Sequence, residues 1–248
     1  MTDPWARYEA ALEPERRRVS EGGVLARLLR PGCDDRLFAR WFLRFSAHGV
    51  HLSGYEGWWL PDEGAGRDRY GSGPDPVRAL LESVQATADW WRGRYGTRPD
   101  VAALLRTPPP AGAEFYVRLC ENVAGGEAPL RAAAIGHETA RLMATAGPGL
   151  LAGCRRVFGG DAGCAAFLAA QVAEHAGRLD GYRRRLASGL AEDPASPAVV
   201  AGTGKSALAS FSVFLAECWD LAAADLAAAD LDPADLDPAD LDADGGER

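Results

Sequence analysis

Apolar residues recur at helical spacing along almost the whole chain, and no other feature constrains the fold as strongly. Phe38, Trp41 and Phe45, for example, fall on one side of a helix. The alternation of β-branched and polar residues that indicates strands is hard to find over more than four positions. We therefore predict an all-α protein.

Prolines, glycines and acidic residues divide this pattern into separate helices. A Gly-rich loop is predicted at 61–76, and the proline run TPPPAG at 107–112 cannot continue a helix. The predicted helical segments are 6–30, 35–60, 77–95, 98–105, 113–124, 128–146, 149–158, 162–190 and 197–219.

The C-terminal segment 220–248 differs from the rest of the chain. It contains ten acidic residues and one basic residue, and a leucine recurs every fifth position, a spacing that forms no helix face. We predict a helical domain over 1–219 and a disordered acidic tail over 220–248. Without the tail, the 35 acidic and 27 basic residues of the chain become 25 and 26. This balance argues against nucleic acid or an anionic membrane as a partner.

Several features favour a cytoplasmic location. The N-terminus is charged from its third residue and lacks the apolar stretch of a secretory signal. The chain has no apolar run of about 18 residues without interruption, the length that a membrane span requires. The five cysteines are odd in number and show no CxxC spacing, which fits reduced thiols.

Two dipeptides carry the strongest chemical signal. His137-Glu138 and Glu174-His175 each place an imidazole and a carboxylate in a stretch of small, apolar residues. A buried charge without a partner is costly, so we expect the two pairs to satisfy each other, a ligand or a metal. The open alternative is a solvated face or a structural salt bridge.

Other motifs favour structural interpretations. His48 and His51 are spaced for one helix face, but we expect them to be partly exposed at a helix end. The motif GTGKS lacks a glycine at Val199 and a preceding strand, so it is not read as a phosphate loop. No Ser-His-Asp arrangement with a nucleophile elbow supports hydrolysis.

Three stretches carry a likeness to a known family. A Gly-Pro-helix-Gly layout lies in 132–186, an FL…C pattern lies in 206–222, and FARWFLRFSAHGVHL spans 38–52. Over residues 20–220 the chain resembles heme-oxygenase-like iron-containing redox enzymes. The resemblance implies a heme-oxygenase-like bundle of about seven to eight helices.

The resemblance also implies iron ligands. A late helix in that family carries His-x3-Asp-x2-His, and the best register places these positions on Gln171, His175 and Arg178. The carboxylate of a middle helix corresponds to Glu138. An earlier helix offers Glu82, Gln85 and Asp89, of which Asp89 or Glu82 could be a ligand. In this register the ligand set is incomplete.

A shift of this register by one helical turn would bring a different set of side chains together. His137, Glu174 and Asp180 would then join Glu138 and His175 around a single iron.

Two functions follow as expectations. The first is an iron-containing oxidase or oxygenase that uses O2 to tailor a small organic molecule in a pocket of the bundle. Without iron, Glu138 and His175 would act as acid and base, and Arg178 would hold an anionic group of the substrate. The second is a metal-free descendant that binds a ligand or a protein partner. A homodimer is left open in both cases.

Overall fold

The computed structural model describes residues 3–56, 76–125, 128–160, 162–193 and 196–230. Within these ranges the secondary structure is helical, with no strand, which confirms the all-α class. The described helices are α1 Pro4–Glu21, α2 Gly23–Leu28, α3 Asp35–Glu56, α4 Pro76–Tyr95, α5 Val101–Arg106, α6 Ala111–Gly125, α7 Pro129–Phe158, α8 Ala162–Glu192 and α9 Pro197–Asp230.

The helices α7 and α8 form a long antiparallel pair at the centre of the bundle. Glycines allow the two helices to approach closely. A Cβ added at Gly136 would lie 2.8 Å from the ring of Tyr182, which is too close for any larger residue. Gly147 lies against Val172 in the same way. α9 contacts α1, α2, α3, α6 and α7 and links this pair to the rest of the bundle.

Aromatic side chains of α3 make up much of the main core. The rings of Trp41 and Phe45 are stacked with their centroids 5.1 Å apart, and Phe42 lies 5.4 Å from Phe158 of α7. Phe45 also contacts Phe214 of α9 at 5.7 Å. A core of large rings at these distances joins α3, α7 and α9 into one unit.

The helix α7 continues through Pro148, where the sequence predicted an end at 146. Proline removes one helical hydrogen bond and costs about 3 kcal/mol in a helix interior. Residues on both sides of it are buried, including Met143, Leu150 and Cys154. The prediction of two helices was wrong because packing of the continuous helix outweighs the local cost.

The first predicted helix, 6–30, is divided in the structure. α1 ends at Glu21 and α2 begins at Gly23, whose φ of 62° lies in the left-handed region that glycine adopts readily. The Gly-Gly pair therefore marks a break that periodicity alone does not show.

The last helix extends beyond the predicted end at 219. α9 reaches Asp230, and Ala222 is fully buried. Arg40 and Arg44 of α3 donate to Asp225 at distances of 2.6–2.8 Å. Residues 220–230 therefore continue α9 and contact α3. The remainder of the predicted tail, and most of the predicted Gly-rich loop, lie outside the described residues.

By length and composition alone, α9 could cross a membrane. Half of its most apolar window is buried within the bundle. Trp41 Nε1 donates a hydrogen bond to the backbone oxygen of Leu215 in this helix. The core helix of a soluble protein has the same length and composition, so these two properties do not by themselves assign α9 to a membrane.

Candidate functional site

The structure places the two predicted imidazole and carboxylate pairs in different environments. Glu138 faces α1, where it is enclosed by polar side chains. His175 lines a cavity between α3, α7, α8 and α9, and Glu138 is not among the residues that line it. Thr139, the next residue along α7, lines the cavity instead. Glu138 and His175 are therefore not brought together.

Glu138 is 1% exposed and is surrounded by hydrogen-bond donors. The Tyr8 hydroxyl donates to Oε1 at 2.7 Å, and Arg16 donates to both carboxylate oxygens at 2.8 Å. The Nδ1 atom of His137 lies 2.8 Å from Oε1. Burial would raise the pKa of Glu138, but the bonds from Arg16 and His137 outweigh it and lower the pKa to about 2.

A second carboxylate completes this group. Arg16 also binds both oxygens of Glu9, at 2.9 and 3.0 Å, and Arg141 of α7 donates to Glu9 at 2.8 Å. The two carboxylates and two guanidinium groups balance in charge. We call Tyr8, Glu9, Arg16, His137, Glu138 and Arg141 the α1 clasp.

The hydrogen bonds and charges of the α1 clasp indicate that it stabilises the fold. Burial raises the pKa of Tyr8 far above its usual value, so its hydroxyl stays a hydrogen-bond donor. Both oxygens of Glu138 are already engaged, and the nearest cation is a guanidinium. The arrangement holds α1 against α7.

The cavity beside His175 has a different character. It encloses about 460 Å³, counting the part that is open to solvent. Six large apolar side chains and three neutral polar ones line it, and no charged side chain does so among the described residues. The lining residues are Phe45, Gly49, Leu52, Thr139, Met143, Phe167, Leu168, Gln171, His175 and Phe211.

His175 has one ring nitrogen that is buried and lacks a partner among the described residues. Its side chain is half-buried, and its Nδ1 atom is inaccessible to solvent and has no hydrogen-bond partner within the described residues. Burial lowers the pKa of His175 to about 4, and the charge of Arg178 adds to this effect. The imidazole is therefore neutral at pH 7. Thr139, in contrast, lies 3.0 Å from the hydroxyl of Tyr116.

The remaining predicted site residues lie on the surface. Glu174 and Arg178 are exposed and form an ion pair of 2.8 Å along α8. Asp89 is 51% exposed and accepts a hydrogen bond of 2.9 Å from Arg98. Asp180 is also exposed. None of the four lines the cavity beside His175.

The residues present do not fit the iron centre that the resemblance implies. An iron site of this kind gathers several carboxylates and imidazoles around one point. In the part of the chain that the structure describes, no three His, Cys, Asp or Glu side chains are grouped in this way. Arg16 occupies the oxygens of Glu138, and no carboxylate of the described residues lines the cavity beside His175.

Two features of these sites were missed in the sequence. Tyr8 and Arg16 complete the α1 clasp, and their spacing with Leu12, four residues in each step, is the signal that places them on one face of α1. His48 was predicted to be partly exposed, but it is fully buried, and neither ring nitrogen has a partner among the described residues. It follows Phe45 by three residues, so it shares the buried side of α3.

No known protein-family model matches this chain, and no curated protein sequence matches it. The likeness to heme-oxygenase-like enzymes therefore stays a prediction.

Proposed function

We propose that this protein binds a small, largely apolar molecule in the cavity beside His175, without a metal ion. This is the second of the two functions expected from the sequence. The observation that carries it is the lining of the cavity, with six large apolar side chains and a few neutral polar groups. Pockets for small molecules have this composition, and their polar groups orient the ligand.

The size of the cavity limits the ligand and its affinity. The volume of about 460 Å³ includes space open to solvent and is therefore an upper limit, which excludes a large cofactor. A one-ring ligand that buries about 150 Å² of apolar surface gains about 4 kcal/mol. Because lost translational and rotational freedom offsets part of this gain, the dissociation constant should be about 1 mM or weaker, and binding has to be measured at millimolar ligand.

The walls of the cavity belong to packed helices. Phe45 lies in the aromatic core of α3, and Phe211 contacts Phe214 of α9 with ring centroids 5.9 Å apart. Met143 and Leu168 are buried in the main core. A cavity with walls of this kind needs little rearrangement to accept a ligand, which reduces the entropic cost of binding.

Toluene is a suitable probe, since it is neutral and has one ring. At a concentration five times its dissociation constant, it should stabilise the folded protein by about 1 kcal/mol. For a chain of this length, the melting temperature should rise by about 2–4 °C. Circular dichroism at increasing toluene concentration measures this rise.

A matched pair of variants tests where toluene binds. Gln171 lies at the half-buried edge of the cavity, so Gln171→Trp should fill it and abolish the rise. Gln85→Trp makes the same change at an exposed position of α4 and should leave the rise intact. A rise that persists in Gln171→Trp, or no rise in the unaltered protein, would contradict the proposal.

A further inference from the structure

We infer that the ligand of the cavity is a neutral aromatic molecule with a hydroxyl group, which forms a hydrogen bond with Nδ1 of His175. This inference rests on the proposed binding function and names the ligand class. It depends on three properties of the cavity: its charge, its unpaired nitrogen and its rings.

The described lining of the cavity has no charged side chain that could pair with a charge on the ligand. The lining residues that the structure describes are all neutral, and Glu174 and Arg178 pair with each other on the exposed side of α8. A charged ligand would lose its hydration and gain no opposite charge, which costs several kcal/mol. A neutral ligand avoids this cost.

The unpaired Nδ1 atom of His175 calls for one polar group on the ligand. A buried polar atom without a partner costs about 1–3 kcal/mol, and a ligand that pairs with it recovers this free energy. A neutral imidazole nitrogen donates in one tautomer and accepts in the other. A hydroxyl group can match both tautomers, whereas a carbonyl can only accept.

The remaining lining favours a flat ring. Phe45, Phe167 and Phe211 contribute three aromatic rings to the cavity, and Met143 contributes a thioether. Aromatic pairs and contacts between sulfur and a ring each add about 0.5–1.5 kcal/mol beyond simple burial. An aliphatic chain of the same size would lack these contributions.

Titration calorimetry of the full chain with toluene and 4-methylphenol tests the role of the hydroxyl group, because these probes differ only there. The ratio of their two dissociation constants measures the preference for a hydroxyl. In His175→Leu this preference should fall by roughly tenfold, as expected for the loss of one hydrogen bond. The matched control is His51→Leu, which removes a half-buried histidine outside the cavity lining and should keep the preference.

Toluene binding to His175→Leu shows that the variant is folded with an intact cavity. If this variant does not bind toluene, His175→Gln replaces it, since the amide keeps a hydrogen-bonding group and should retain part of the preference. A third probe, 4-methylbenzoate, should bind at least tenfold more weakly than 4-methylphenol because it is charged.

The possible failures are distinguishable. An unchanged preference in His175→Leu, or a full loss of it in His175→Gln that still binds toluene, overturns the role of His175 and leaves the binding function standing. Equal binding of 4-methylbenzoate and 4-methylphenol overturns the neutral ligand class. If neither toluene nor 4-methylphenol binds the unaltered protein, the inference and the proposed function both fail.

Discussion

The α1 clasp and the cavity beside His175 arise from similar pieces of sequence, and they differ in how their polar atoms are paired. Glu138 is surrounded by donors, and both of its oxygens are engaged. The Nδ1 atom of His175 is buried without a partner among the described residues. A saturated polar group stabilises the fold, whereas an unsaturated one at a cavity costs free energy until a ligand pairs with it.

The largest effect is expected in the α1 clasp. Glu138→Ala would leave the guanidinium of Arg16 and the hydroxyl of Tyr8 buried without their carboxylate, so the free energy of unfolding should fall by about 3–5 kcal/mol. Urea unfolding measures this loss. The control Glu174→Ala removes an exposed carboxylate paired with Arg178 and should cost less than about 1 kcal/mol. Similar losses in the two variants would show that the α1 clasp is not a special structural element.

The second effect is a loss of stability at acidic pH, and it comes from His48, a second buried histidine. Burial lowers the pKa of His48 to about 4, with contributions from Arg44 and His51. Because the folded-state pKa lies below the unfolded value of 6.5, the unfolded chain takes up a proton first as the pH falls. Stability is therefore full above pH 6.5 and declines toward pH 4.

Between pH 7 and pH 5, His48 alone should lower the free energy of unfolding by about 2 kcal/mol. Urea titrations at these two pH values measure the change, and His48→Leu should reduce it by that amount. Glu138 does not contribute in this window, since its pKa of about 2 matters only as the pH falls below about 4.5. His175, whose pKa is also lowered to about 4, should contribute in the same window, so an equal change in His48→Leu and in the unaltered protein would show that His48 is hydrated or paired.

The third effect tests the contact between α9 and α3. Asp225 is held by Arg40 and Arg44, and its side chain is 17% exposed. Asp225→Ala should lower the free energy of unfolding by about 1–2 kcal/mol, because two partly buried guanidinium groups lose their partner. The control Asp220→Ala changes an exposed residue of the same helix and should have an effect within about 0.5 kcal/mol. Equal effects of Asp225→Ala and Asp220→Ala on the free energy of unfolding would show that residues 220–230 are a solvated extension of α9.

These contacts also show how far the sequence could predict the fold. Periodicity identified the all-α class and most helix positions, because burial of one helix face leaves a local pattern. It could not predict that α7 continues through Pro148, since the stabilising contacts come from other helices. The pairing of Asp225 with Arg40 and Arg44 joins residues about 180 positions apart, and no local pattern shows such a contact.

The site was less predictable than the fold for a similar reason. The sequence singled out Glu138 and His175 as polar residues within apolar stretches, and the structure buries the first and half-buries the second. A rotation of 100° per residue then decides that Thr139, and not Glu138, lines the cavity. The partners Tyr8 and Arg16 come from a helix about 120 residues earlier, so the pairing of Glu138 depends on tertiary structure.

The smallest expected effect concerns iron. Protein purified aerobically with added Fe(II) should contain iron well below one atom per chain, and His175→Ala should not change this content. The physical reason is that Arg16 already neutralises Glu138, while the described lining of the cavity beside His175 includes no carboxylate. Metal analysis by mass spectrometry measures both samples. Stoichiometric iron that His175→Ala removes would overturn this comparison of the two sites, because His175 would then have to share a metal with carboxylates that lie elsewhere in the structure.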